Sequence, residues 1–165
     1  MEPQEVPPLN LSPSAQRVQD ALTAFGLASQ VLELPASTRT AQEAAQAVGC
    51  QVGQIVKSLV FKGRHTQMPV LIVASGSNRV NEQRLAEMIC EPVEKADADF
   101  IRIRTGFAIG GIPPVGHLEP LKTFIDEDLL SYQEIWAAAG TPHAVFRLSP
   151  ADLQMITKGQ VISIK

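Results

Sequence analysis

The sequence predicts an α+β protein, a single domain with a mixed, mostly antiparallel sheet flanked by short helices. Two β-branched apolar runs, IVKSLVF from Ile55 and PVLIVAS from Pro69, stand one polar, glycine-containing segment apart, as neighbouring antiparallel strands do. Helical periodicity bounded by capping residues recurs on both sides of them. Helices and strands do not alternate regularly as βαβ units would, and neither an internal repeat nor a linker divides the 165 residues.

Each element has its own signal. The acidic, Pro-rich start predicts a loose arm over residues 1–11, with the domain running over 12–165. Ser12-Pro13 supplies an N-cap and a first-turn proline, and Val18, Leu22 and Phe25 follow at helical spacing until Gly26. QVLEL, 30–34, reads as a short strand ended by Pro35. Thr40 to Glu43 is a capping box that opens AQEAAQAV, closed by Gly49. After the two central strands, NEQRLAEMI returns to helical spacing with Asn81 as its cap. ADADFIRIRTG is ambiguous: Ile101 and Ile103 alternate like a strand, while Asp97 or Asp99 can cap a helix. KTFID, YQEIWAAA and HAVFRL read as strands, the last two joined by the turn GTP as a hairpin. Ser149-Pro150 then opens a last short helix before the strand QVISI.

Composition narrows the function classes. With 45% hydrophobic and 19% charged residues the chain has the make-up of an ordinary soluble globule. It has no apolar run long enough to span a bilayer, so no membrane role is expected. The start lacks the basic and then apolar pattern of a signal peptide, which leaves the cytoplasm as the expected location. A net charge of −3 argues against a general nucleic-acid coat, and DNA is not an expected partner, although a local basic site remains open. Cys50 and Cys90 form no CxxC pair, and His65, His117 and His143 are too scattered to be metal ligands on one element. No metal and no cofactor are therefore expected.

The most specified backbone is TGFAIGGIPPVGH, Thr105 to His117, with four glycines and two adjacent prolines. Its glycines do not fit the GxGxxG spacing of a dinucleotide loop, and Pro113-Pro114 forbids the helix that should follow. No Gly-Lys-Ser/Thr follows to make a phosphate loop, and neither a GxSxG elbow nor a Cys-His pair supplies a nucleophile. Two readings remain. A glycine-rich loop stiffened by proline can offer backbone N–H groups to a carbonyl or oxyanion, or it can be a structural turn.

IVKSLVF and TGFAIGGIPPVGH together, about fifty positions apart, resemble the paired signature of the YbaK/prolyl-tRNA-synthetase-associated editing family. The similarity runs from about Ser14 to Ile164 and includes the IDEDL and AVFRLSPADL segments. The resemblance implies a curved sheet and an aminoacyl-tRNA deacylase, free-standing or part of a prolyl-tRNA synthetase. The mischarged tRNA would be held by its acceptor end, and a synthetase is a candidate partner. Small amino acids such as alanine or cysteine on proline tRNA are the implied substrates. A non-catalytic tRNA- or nucleotide-binding relative is the alternative.

The resemblance also assigns residues. The family lysine matches Lys57 and the GxxxP loop matches Gly110 to Pro114. An aminoacyl ester is already activated, so its hydrolysis needs a positioned water and a stabilised oxyanion rather than a protein nucleophile. The N–H groups of Gly111 and Ile112 would hold the carbonyl, Gly110 would make room for it and Pro114 would fix the loop. Lys57, a charge in an apolar strand, either snorkels at an edge or meets the phosphate or ribose of the terminal adenosine. Ser58 would offer a hydroxyl, although alternation points it to the other sheet face. His117 is either an acid–base group or a loop brace. Thr38, with Arg39, either borders the pocket or caps locally, and Asp126 either orients a neighbouring backbone or binds the substrate's amino group.

Overall fold

The computed structural model of the protein describes residues 10–165. Residues 1–9 of the expected arm lie outside the described residues; Leu11, at its end, is half-buried against the main core. The helices are α1 (Pro13–Ala24), α2 (Ala41–Val48), α3 (Glu82–Ile89), α4 (Ala98–Thr105) and α5 (Pro150–Thr157). The strands are β1 (Leu32–Glu33), β2 (Ile55–Gly63), β3 (Pro69–Ser75), β4 (Val93–Lys95), β5 (Lys122–Asp126), β6 (Ile135–Ala138), β7 (Ala144–Leu148) and β8 (Gln160–Ile162).

Local chemistry sets the helix ends. Thr40 accepts from the Glu43 N–H while the Glu43 carboxylate accepts from the Thr40 N–H, and Gly49 ends α2 at φ 76°. Asn81, Asp97 and Ser149 each accept from a first-turn N–H of α3, α4 and α5. Each such cap contributes about 1 kcal/mol. Ser12 precedes α1 as expected but does not cap with its side chain: its hydroxyl is buried without a partner, and its N–H donates to Glu33.

The sheet runs β1-β7-β6-β2-β3-β5-β8, with β4 also on β2. The pairs β1/β7, β2/β3, β2/β4 and β6/β7 are antiparallel; β2/β6, β3/β5 and β5/β8 are parallel. The sheet is thus mixed with a small antiparallel majority, as expected. Every residue of β3 is buried because both of its faces are covered. Leu71 and Val73 join α1, Phe107, Ile125 and Phe146 in one core, while Val70, Ile72 and Ala74 pack with Phe61, Leu85 and Phe124 in the other. A third small cluster sets Ala44 and Ala45 of α2 on Ile55.

Several elements differ from the sequence-based expectation. The ambiguous segment is the helix α4: Ile101 is buried while Ile103 is 71% exposed, a divergence that strand alternation does not produce. QVLEL shrinks to the two-residue β1, and β6 starts only at Ile135 because Tyr132 ends a 3-10 turn over Glu127–Ser131. β8 stops at Ile162. The short β4 had no expectation at all, being three residues wedged between Pro92 and the α4 cap.

Candidate active site

The site begins as an interruption in the sheet. On one edge of β2, β6 pairs with Ile55 and Val56 alone, and β4 pairs with Phe61 to Gly63. Lys57 to Val60 therefore have β3 on one side and no strand on the other. The Val60 carbonyl points to that side, where it accepts from the Ala96 N–H at 3.4 Å. Two residues earlier in the same strand, the Ser58 peptide groups face the same way. The Ser58 hydroxyl is buried and unpartnered although the residue itself is half-buried, so Ser58 shows its backbone to the gap.

A cavity of about 910 Å³ occupies this interruption, within the usual range of small-molecule sites, roughly 300–1,000 Å³. Its floor is β2, with Ile101, Ala137 and Val145 among its apolar walls and Trp136 beside them. The Thr38–Ala41 segment, Arg79, Val80 and Glu82, Lys95, and the Ile109–Ile112 loop complete it.

The glycine-rich loop is held from several directions. Arg17 donates to the carbonyls of Gly106 at 2.9 Å and Gly116 at 3.3 Å, with its guanidinium 4.4 Å from the centre of the buried Phe107 ring. The Gly140 N–H donates to the Gly111 carbonyl at 2.8 Å. Thr38 donates its N–H and its hydroxyl to the Pro142 carbonyl, at 2.6 and 3.0 Å, tying the segment before α2 to the β6–β7 turn. Gly110 has φ 99°, a conformation that favours glycine, and a Cβ on Gly111 would lie 2.6 Å from the Thr141 backbone. Among the described residues the N–H groups of Gly111 and Ile112 find no acceptor, although both residues are buried. Unspent backbone donors in a buried loop are uncommon, and both residues line the cavity.

Lys57 is half-buried, and its ammonium donates to the Asn78 carbonyl at 2.9 Å. Burial, and then the like charge of Arg79, lower its pKa below the ordinary lysine value; Asp126 opposes the shift. Asp126 is fully buried and accepts from the Ser75 N–H, the Asn78 side-chain amide and the Asp128 N–H, at 3.0, 2.8 and 3.0 Å. It fixes the turn whose carbonyl receives Lys57.

The structure brings Lys57, Ser58, Thr38, Gly110, Gly111 and Ile112 to one cavity. Pro114, His117 and Asp126 are not on its wall. Pro114 is buried within the loop. The His117 ring meets the Pro113 carbonyl at 2.7 Å and packs edge-on to Phe107, and burial pushes its pKa down. Asp126 lies beneath the Ser75 to Asn78 turn. Sequence reasoning missed Asn78, Lys95 and Trp136 as parts of this region, since only the tertiary fold joins them to β2. Among the described residues no three His, Cys, Asp or Glu side chains converge as metal ligands.

The site is thus a mixed sheet split around a cavity, with a strand lysine and a glycine-rich loop on its wall. Residues 35–156 match the aminoacyl-tRNA editing domain, and the chain belongs to that family, the one its two motifs resemble. A solved structure described as a candidate trans-editing enzyme for prolyl tRNA synthetase is 53% identical, with a TM-score of 0.89 over 94% of this chain and 98% of that one. The uncharacterized protein YwhH of Bacillus subtilis (strain 168) is 26% identical over 148 residues, 90% of this chain and 94% of its own. EbsC of Enterococcus faecalis (strain ATCC 700802 / V583), a candidate Cys-tRNA(Pro)/Cys-tRNA(Cys) deacylase, is 29% identical over 126 residues, 76% of each chain.

Proposed function

We propose that the protein is a trans-editing aminoacyl-tRNA deacylase that hydrolyses the ester of proline tRNA mischarged with a small amino acid, alanine or cysteine. The observation that carries this reading is the pair of unspent N–H groups at Gly111 and Ile112, in the same cavity as Lys57. The family membership and the functions ascribed to its relatives support it.

In this reading the ester carbonyl sits against the Gly111 and Ile112 donors, which strengthen as charge builds on its oxygen. Removing one such donor from comparable sites slows turnover by roughly 100- to 1,000-fold. Gly110 leaves room for the carbonyl, and Lys57 holds the ribose or phosphate of the terminal adenosine. Water adds to the carbonyl carbon as it gives up a proton to solvent or through the neighbouring ribose hydroxyl acting as a relay. The bond between the acyl carbon and the ribose oxygen then breaks and that oxygen takes up a proton, leaving free amino acid and deacylated tRNA. Pro114 and His117 shape the loop, Thr38 anchors the cavity's border, and Asp126 positions Lys57 through Asn78. Ser58 contributes its strand-edge peptide.

A panel of mischarged tRNAs tests this. Release of free alanine or cysteine from proline tRNA, with correctly charged tRNA spared, is the expected result. Binding of every tRNA without turnover of any would overturn it in favour of a non-catalytic relative.

A further inference from the structure

The chain carries a net charge of −3, yet the charged side chains facing its cavity are Arg39, Lys57, Arg79 and Lys95 against the single acid Glu82. Away from the cavity the cations of the described residues are mostly committed, Arg84, Lys122 and Lys158 being the exceptions. Lys62, Arg64, Arg102, Arg104, Arg147 and Lys165 make ion pairs, and Arg17 is spent on loop carbonyls. Among the described residues the side chains of Arg39, Arg79 and Lys95 have neither an ion pair nor a hydrogen bond.

These three exposed cations come from separate elements: Arg39 from the segment before α2, Arg79 from the β3–α3 turn and Lys95 from the end of β4. They converge only at the cavity. Arg39 also lies over the glycine-rich loop, its side chain 3.3 Å from where a Gly110 Cβ would be. The depressed pKa of Lys57 comes first from burial and then from the like charge of Arg79, so the cations around the cavity are offset by Glu82 only in part. An arriving polyanion relieves the repulsion and releases its own counterions.

We propose that Arg39, Arg79 and Lys95 form a phosphate-binding rim that grips the last phosphodiesters of a single-stranded RNA 3′ end as its terminal nucleoside enters the cavity. The identity of that RNA as tRNA rests on the proposed function; the rim itself does not. Separate origins suit a bent backbone, because phosphates on successive nucleotides leave a splayed 3′ end in different directions. Such contacts place the strand without reading its bases.

The test is binding of a short, fluorescently labelled single-stranded RNA ending in CCA, measured over a range of salt concentrations. The proteins are the wild type and a variant carrying Arg39→Gln, Arg79→Gln and Lys95→Gln, with unchanged melting temperature as the check on folding. The wild type should bind with affinity falling steeply with salt. The triple variant should bind about tenfold or more weaker at low salt, and its log–log salt slope should shrink by about 0.7 for each cation removed. Arg79→Lys alone should keep most of the slope, since the charge remains.

An unchanged affinity and slope in the triple variant would overturn the rim. So would AMP competing as tightly as the oligonucleotide, because a mononucleotide cannot span separated cations. Failure of the proposed function looks different: a wild type that binds RNA through these cations yet releases no amino acid from any tRNA supports the rim and refutes the deacylase. A wild type that deacylates while the triple variant keeps its KM refutes the rim alone.

Discussion

The Lys57 ammonium and the Asn78 carbonyl oxygen are 2.9 Å apart, a bond between the middle of a central strand and the turn at the end of its neighbour. That turn is held by the buried Asp126 carboxyl, so a charge that faces the cavity is aimed by a residue that never reaches it. The two ends of this chain should respond differently to substitution.

Replacing Lys57 by Ala removes a half-buried side chain without opening a core cavity, so the melting temperature should stay within a few degrees of wild type. Deacylation should fall about 100-fold, equivalent to about 2.7 kcal/mol of transition-state stabilisation. Full activity in this variant would take Lys57 out of the site.

Asp126→Ala should do the reverse in part. It strands the buried Ser75 N–H and leaves the Asn78 amide with Asp128 as its remaining carboxylate partner, and an unsatisfied buried donor costs about 1–3 kcal/mol. In a chain of this size each kcal/mol lowers the melting temperature by about 2–4 °C. A clear drop in thermal stability, accompanied by lost turnover, is expected. A variant as stable as wild type would show that the turn does not depend on this carboxyl.

The two loop glycines should separate strain from collision. Gly111→Ala drives a methyl group into the Thr141 backbone, and overpacking of that kind costs about 1–3 kcal/mol. Gly110→Ala meets only the flexible Arg39 side chain but must hold φ near 99°, a conformation that costs non-glycine residues about 1–3 kcal/mol. Gly110→Val adds bulk where the ester carbonyl is proposed to sit. Melting temperature, RNA affinity and turnover measured on one preparation of each decide the matter: a folded, RNA-binding, inactive Gly110→Val supports the oxyanion site, and one that melts early with activity lost in proportion supports a structural turn.

His117 makes stability depend on pH. Burial lowers its folded-state pKa below the ordinary 6.5, so the unfolded chain binds the proton more readily. Stability should therefore fall as pH drops from 6.5 through the folded value, by at most about 1.4 kcal/mol per pH unit, and the penalty is complete below it. The carboxylates with lowered values, Glu91 and Asp128, titrate below their ordinary 4.5 and 3.8, at more acidic pH. Denaturant unfolding at pH 5 and 7.5 should show a smaller difference for His117→Gln than for wild type. Equal differences would mean that the ring does not stay neutral by burial.

Trp136, the chain's single tryptophan, lines the cavity under the Arg147 guanidinium. A non-hydrolysable aminoacyl-adenosine amide should change its emission, and Arg39→Gln should leave that change in place because the analogue carries no phosphate. A titration that leaves the emission flat would place the ligand elsewhere.

Much of the fold was legible because it is local. The runs at β2 and β3 announce buried strands, and Thr40 with Glu43, Asn81 and Ser149 announce helix starts through bonds made within three residues. The loop's tightly specified backbone was legible from glycines and prolines whose spacing fits no phosphate loop. What was not legible depends on distant partners. The alternation of Ile101 and Ile103 is compatible with a strand until Asp97 is seen to cap α4 and Gly106 to end it at φ 81°. The cavity exists because β4 and β6 share one edge of β2 without meeting, and no residue of β2 encodes where its neighbours stop. Asn78 looks like an ordinary turn residue until Lys57 and Asp126 are folded against it.

The stretch of β2 left bare between β6 and β4 should also behave as a clock. A central strand normally exchanges its amide hydrogens for deuterium only when the whole domain opens. Here the Ser58 and Val60 amides face the cavity rather than another strand, so they should exchange far faster than those of Lys57 and Leu59, which face β3. Filling the cavity should slow those two sites and leave their neighbours unchanged. Isotope exchange at alternate residues of one strand would then report occupancy without label, turnover or mutation.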